Sequence, residues 1–324
     1  MTDDAGRVLA VDLGGTNIRV ALVDTSGGTA GFVVAPTDAA KGPSAVVSRM
    51  LLMIRESLAK AQVDASEVLG VGIGSPGPLD RISGVIHEAP NLPGWNNVRL
   101  ADRIADQMKL PVFLENDANA AALAEFAYGD NRGIDNMIYI TVSTGVGGGL
   151  ILGGKLWHGV YGSAGEFGHM TVDFEGPLCD CGNRGCIEKI ASGPDMADWS
   201  MAQVRAGVQS VLGARLTHEP LTGRDVVEAA AVDDSLALAA LGRAGHALGF
   251  GIVSVSHLVN LDLAIIGGGI ANAGPMLLDP IRKIVKTHLL ASTGPRLRVV
   301  PWSLGEDVGL LGAAASARAR LATP

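Results

Sequence analysis

Two stretches of this chain repeat one design: a strand, a glycine turn and a second strand. "VLAVDLGGTNIRVALV", Val8 to Val23, alternates apolar and polar positions on both sides of Gly14-Gly15, and "MIYITVSTGVGGGLILGGKLW", Met137 to Trp157, repeats that order around Gly145 to Gly149. Identity between the two is slight. Two copies of one unit imply two similar lobes with a ligand between them, while two ordinary hairpins in an α/β protein satisfy the same pattern.

The rest of the chain alternates helix and strand. Helical patterns cover about Gly42 to Gln62 and Val98 to Met108. "VLGVGIGSPGPLD" and "PVFLEND" read as strands, and the alanine-rich run Ala118 to Tyr128 as a helix capped by Asn116 or Asp117. Further helices are expected at Pro194 to Ala206, Gly223 to Ala231 and Ser235 to Leu258, then a strand in "LDLAIIGGGIANAG" and a last helix over Val308 to Leu321. This order predicts α/β architecture with largely buried sheets. A 324-residue chain that is 48% hydrophobic can bury such sheets without disulfide staples.

The formal charge of -8 gives no reason to expect nucleic acid or an anionic membrane surface as partner. "MTDDAG" lacks the basic region of a secretory signal, which points to a cytoplasmic protein. The apolar region Ala247 to Ile270 is interrupted by Ser254, Ser256, His257, Asn260 and Asp262, so it reads as a buried helix followed by a buried strand and not as a bilayer span.

All three cysteines fall within "CDCGNRGCIE", at Cys179, Cys181 and Cys186. An odd number of thiols makes no disulfide framework, whereas C-x-C-x4-C with glycines at 182 and 185 is a compact chelating loop. Structural zinc takes four ligands, and His169, ten residues before Cys179, is the nearest histidine to complete the set. The competing account makes His169 a polar loop residue and the cysteines small buried hydrophobes. Glu166 and Glu188 flank the ligands, either as rigid acceptors for a bound molecule or as solvated surface groups.

Glycine turns admit phosphates to backbone N–H groups, and Asp12 to Thr16 and Ser143 to Gly149 both have that form, as plain hairpin turns do too. Two near-matches fail. "GIGSPG", Gly72 to Gly77, is followed by Pro78 where a dinucleotide fold needs a helix, and "GLILGGKL" carries Leu156 where a Walker hydroxyl belongs. In "ENDANAA", Asp117 is either a helix-cap carboxylate or a base at the mouth of a cleft.

Together these motifs resemble the ROK family of bacterial sugar kinases and repressors, most closely its glucokinases. The likeness runs through "DLGGTNIR", "GSPGPLD", "NLPGW", "ENDANAA", "STGVGGG", "GEFGH", "CDCGNRGCIE" and "IIGGGI", in the family's order. It implies an actin-like ATPase, or hexokinase-like, α/β fold of two lobes with a ligand cleft between them. The small N-terminal lobe is expected over residues 1–116, joined by the C-terminal helix at about 308–324, and the large lobe with the zinc knuckle over 117–307.

The resemblance further implies ATP-dependent phosphorylation of glucose at its 6-hydroxyl, with Asp117 as base. Asn116, Asp117, Glu166, His169 and Glu188 would hold the sugar, and His169, Cys179, Cys181 and Cys186 would hold Zn2+. Asp12 would orient Mg2+, Gly14, Gly15, Thr16, Thr144 and Gly145 would hold the phosphates, and Gly267, Gly268 and Gly269 would lie near the adenosine. Other hexoses, N-acetylmannosamine, fructose or allose, are alternative substrates, and polyphosphate an alternative donor. A homo-oligomer, dimer or tetramer, is the family's expectation. Its repressors carry a DNA-binding segment ahead of the first phosphate motif; with seven residues before Val8 and an acidic balance, a kinase is expected over a sugar-responsive regulator.

Overall fold

The first glycine turn closes the hairpin that its alternation predicts. Strand β1 (Val8–Leu13) runs antiparallel to β2 (Asn17–Val23), with Asp12 opposite Arg19, and β3 (Thr29–Pro36) extends the meander. The computed structural model describes residues 6–89, 91–215, 220–292 and 296–322, so most of the acidic "MTDDAG" start lies outside the described residues. Helix α1 (Pro43–Ala61) opens with proline, whose fixed φ suits a first helical position, and buries Val46, Val47, Met50, Met53, Ile54 and Leu58 along one face. Strand β4 (Val71–Ser75) then lies parallel to β1.

A small separate sheet follows, made of β5 (Leu79–Asp80), β6 (Val85–Glu88) and β7 (Asn96–Arg99). Helix α2 (Leu100–Met108) leads to β8 (Val112–Asn116), which adds parallel to β4, and to α3 (Asp117–Tyr128). The completed sheet has the order β3-β2-β1-β4-β8.

The second glycine turn builds the same arrangement again. Strands β9 (Met137–Val142) and β10 (Val146–Leu152) pair as a hairpin, and β11 (Lys155–Leu156) pairs with β10. Helices α4 (Glu188–Ala191), α5 (Gly193–Arg205), α6 (Leu212–Arg215), α7 (Gly223–Ala230) and α8 (Ser235–Val259) precede β12 (Leu263–Gly267), which lies parallel to β9. Helix α9 (Pro275–His288) and strand β13 (Arg298–Pro301), parallel to β12, complete it. The order β11-β10-β9-β12-β13 reproduces the first sheet strand for strand. This duplicated α/β order shows that the repeat extends through two like sheets and is more than two ordinary hairpins, and it is the actin-like ATPase arrangement.

Among the described residues α8 is the one helix long and apolar enough to cross a membrane, yet it is mostly buried inside its unit. Its Gly245 and Gly249 let α9 approach so closely that added β-carbons would stand 2.6 Å from Pro280 and 2.7 Å from Ile284. It is a core helix.

The closing helix α10 (Val308–Leu321) returns to the first unit and packs on α3, β1, β4 and β8. Small residues on α3, β1 and β4 allow it. A β-carbon at Gly72 would collide with the Ala313 carbonyl, and one at Gly312 with the Ala120 carbonyl. The alanine runs of α3 and α10 therefore serve close backbone approach as well as helix propensity, and larger side chains there would overpack, at about 1–3 kcal/mol each.

The chain divides into two compact units: Met1–Arg132 with His158–Ser163 and Ser303–Pro324, and Gly133–Trp157 with Ala164–Trp302. The division falls after Arg132 and not after Asn116, because α3 is packed under α10 within the first unit. For the same reason the first unit is close to the second in length, where a small and a large lobe were expected.

Candidate active site

The three cysteines and His169 come together as a metal-ligand set. Their donor atoms lie within 4.8 Å of one another, with Cys181 Sγ 3.6 Å from Cys186 Sγ and Cys179 Sγ 3.7 Å from His169 Nδ1. Those edges match the roughly 3.7 Å between ligands around a tetrahedral zinc, and they are far from the ~2.05 Å of a disulfide. The loop is shaped for this by its own backbone. Cys179 N–H donates to the Asn183 carbonyl at 2.7 Å, and Gly182 N–H donates to the Cys179 carbonyl at 2.9 Å. Gly185 adopts a φ of 59° pressed against the Asp173 carbonyl, a place where only glycine fits.

Burial raises the thiols of Cys179 and Cys186, the latter to about 12, whereas the backbone N–H of Asn183 brings Cys181 down to about 7. The two buried thiols become thiolates only with a cation among them, whereas Cys181 ionises readily near neutral pH. The donor set fits Zn2+.

With Nδ1 toward the sulfurs, the other ring nitrogen of His169 stands 4.0 Å from Glu166 Oε2. Both side chains remain accessible, at 36% for His169 and 65% for Glu166. Glu188 opens α4, two residues after Cys186, and its Oε2 accepts the N–H of Val146 at 2.9 Å. The second unit thus gathers Glu166, His169 and Glu188 on or beside the metal loop.

The same unit carries the second phosphate-type turn. Ser143 N–H donates to the Gly145 carbonyl at 2.9 Å, closing the turn that presents Thr144 and Gly145. At the end of β12, a side chain on Gly267 would collide with Tyr139, and Gly268, at φ 85°, is pressed on Val142. Gly269 faces open space, with only Ser143 Oγ at 4.0 Å. The first two glycines are thus explained by packing on β9, and the third is the one left open to a ligand.

In the first unit, Asn116 and Asp117 stand where β8 becomes α3. Asn116 is the cap: its Oδ1 accepts the N–H groups of Ala118 and Asn119 at 3.0 and 3.2 Å, which leaves its amide NH2 to donate outward. Asp117 occupies the first helical position, its Oδ1 taking the Ala118 N–H at 2.8 Å, where the helix terminus favours negative charge. Glu115, one residue before Asn116 and 2% exposed, accepts from Asn119 Nδ2 at 3.2 Å and lies 2.9 Å from His158 Nε2.

The first phosphate-type turn is held by Thr37, whose Oγ1 donates to the Gly14 carbonyl at 2.6 Å and whose N–H donates to the Thr16 carbonyl at 2.8 Å. Asn91 lies against Gly15. Asp12 faces Arg19 at 3.6 Å, and Arg19 continues to Glu306 at 3.0 Å. Burial raises the Asp12 carboxyl, and Arg19 only partly offsets this, so a dication beside it suits the site. The Asp12–Arg19 pair follows from the hairpin register, a signal present in the sequence but unused; the partners of Glu115 and Glu188 leave no comparable trace.

Comparison with known proteins agrees with these motifs. A glucokinase of Thermotoga maritima is 37% identical over 97% of this chain and 98% of its own. A ROK family glucokinase from Streptomyces griseus, solved in complex with glucose and AMPPNP, superposes with a TM-score of 0.80 at 34% identity, covering 95% of this chain and 98% of that one. A ROK family transcriptional regulator, a homologue of the E. coli MLC protein, reaches a TM-score of 0.84 at 29% identity, covering 98% of this chain and 79% of the regulator. The ROK family model itself matches residues 8–320, and the chain belongs to the ROK family.

Proposed function

We propose that this protein is a glucokinase, transferring the terminal phosphoryl group of ATP to the 6-hydroxyl of glucose. The observation that carries this reading is the orientation of His169, with Nδ1 among the thiols and Nε2 beside accessible Glu166. An imidazole pinned at one nitrogen and paired with a carboxylate at the other is a rigid donor–acceptor set for neighbouring sugar hydroxyls. Full-length similarity to relatives named as glucokinases supports it.

In this reading Asp117 accepts the proton of the 6-hydroxyl as that oxygen attacks the terminal phosphorus in line, and ADP departs with the bonding electron pair. Asn116 donates from its NH2, since its oxygen caps α3. Glu166, His169 and Glu188 bind the remaining hydroxyls. Backbone groups around Gly14, Gly15, Thr16, Thr144 and Gly145 hold the phosphates, the Gly14 N–H itself being spent on the Asn17 carbonyl at 3.0 Å, and Gly267 to Gly269 lie by the adenosine. Zn2+ at His169, Cys179, Cys181 and Cys186 supplies rigidity, and Mg2+ at Asp12 supplies charge neutralisation for the phosphates. This assigns the enzyme to the cytoplasm and the entry of glucose into glycolysis, as a dimer or tetramer.

A coupled assay over glucose, N-acetylmannosamine, fructose and allose, with ATP or polyphosphate as donor, tests it. Glucose with ATP should give the highest kcat/KM; preference for another pair replaces the assignment. Asp117→Asn should lower kcat by about 10²–10⁴-fold while glucose affinity changes little, and near-normal turnover removes Asp117 as base.

A further inference from the structure

Gly145 belongs by sequence to a phosphate turn, but its α-carbon faces a carboxylate. A β-carbon built on Gly145 would stand 2.6 Å from Glu188 Oε2 and 3.5 Å from Glu188 Cδ. The same Oε2 accepts the N–H of Val146 at 2.9 Å. The backbone of Gly145 is not in the left-handed region, so conformation does not require glycine there; the place taken by the Glu188 carboxylate does.

The segment that carries Glu188 is fastened to this turn a second time. At its far end the N–H of Gly193 donates to the Ser143 carbonyl at 2.8 Å, while the Ser192 N–H donates to the Glu188 carbonyl at 2.9 Å and closes α4 between the two attachments. On its other side the chain is tied to the metal loop, where Ile187 N–H donates to the Met170 carbonyl at 3.0 Å. Glu188 is therefore held from two directions, and of its two oxygens Oε2 is the one seated in the turn, leaving Oε1 for a ligand.

We infer that Gly145 and the Val146 amide are positioning elements for the sugar: they seat Glu188 Oε2 and so fix the direction in which Oε1 meets a hydroxyl. This rests on the reading of Glu188 as a sugar ligand. Gly145 is glycine to admit a carboxylate from within its own unit, whatever its amide does for a phosphate. The turn therefore sets sugar affinity independently of its contact with the nucleotide.

The test is Gly145→Ala, assayed for both substrates. The added methyl displaces Oε2 from Val146, so KM for glucose should rise about tenfold or more while KM for ATP, at saturating glucose, stays within about threefold. A rise in KM for ATP with glucose unaffected is what a glycine kept for phosphate approach would give, and it overturns the inference. The double variant Gly145→Ala with Glu188→Asp supplies a rescue readout. A carboxylate one methylene shorter clears the methyl, so the double variant should bind glucose no worse than Glu188→Asp alone; multiplied single effects refute the contact.

A measurement independent of catalysis covers the case in which Gly145→Ala does not fold. In Glu188→Ala the Val146 amide should exchange its hydrogen about tenfold faster than in the parent at matched global stability, and an unchanged rate overturns the seat. Parent enzyme inactive on glucose would sink the functional reading instead, and the exchange result would still decide the geometry.

Discussion

Replacing Glu125 by alanine removes a buried carboxylate that holds the chain where it re-enters the first unit. Glu125 lies on α3 at 1% exposure. Its Oε1 accepts the N–H groups of Ser303 and Leu304 at 2.7 and 3.1 Å, and its Oε2 accepts the Ser303 hydroxyl at 2.7 Å. Hydrogen bonds to a charged acceptor contribute about 1.5–3 kcal/mol each. Ser303 is itself exposed, so water re-satisfies part of what is lost and the three do not sum in full. The net cost should be about 3 kcal/mol, a lowering of Tm by roughly 6–12 °C for a unit of this size. Glu125→Gln keeps an oxygen for the two amides and turns its NH2 toward the Ser303 hydroxyl, which can accept, so it should cost only about 1 kcal/mol. Urea unfolding followed by circular dichroism measures both. An alanine variant within about 1 kcal/mol of the parent, or a glutamine variant as damaged as alanine, refutes the latch.

Three further outcomes follow from the geometry. Gly309→Ala places a methyl 2.6 Å from the Asp12 carboxylate and should raise the Mg2+ concentration needed for half-maximal rate by about tenfold; an unchanged Mg2+ titration separates Asp12 from the cation. Stripping zinc, by chelation or by Cys181→Ala, should weaken glucose binding by about 10–100-fold with little change in KM for ATP, and pure protein found without zinc by metal analysis defeats this. Asp38, lowered from 3.8 to about 2 chiefly by the hydrogen bond from Lys41 and next by that from Arg49, is more acidic folded than unfolded. Its stabilisation is therefore full above about pH 4 and fades as pH falls toward 2. The gap in urea midpoint between the parent and Asp38→Asn should shrink from about pH 5 to about pH 3, and a constant gap contradicts the assignment.

What the sequence made legible was local. The hairpins around Gly14-Gly15 and Gly145 to Gly149 could be read because alternation and turn glycines lie within a few residues, and the metal loop because three of its four ligands span eight positions. The repeat itself needed strand order to decide it, since β4 and β8, like β12 and β13, join their hairpins only through long crossovers. Helix α9 was not foreseen: "PMLLDPIRKIVKTH" follows a glycine and carries Pro280 inside, which reads as a break until packing on α8 is known. The short strands β6, β7 and β13, of four residues each, carry too little pattern to register. Glu115 with His158 and Glu188 with Val146 are separated by 43 and 42 residues, so no spacing rule reaches them.

The late return of α10 has a consequence for biosynthesis. Arg318 of this helix donates to the Val23 carbonyl at 2.6 Å, across 295 residues of chain, and the helix covers β1 and β4, which are made well before it. At a synthesis rate of about 5–20 residues per second, those strands wait roughly 15–60 s for their cover, while the second unit, made in the interval, can close before the first. Synthesis that stalls before Val308 thus leaves one face of the first sheet bare, with only the side under α1 covered.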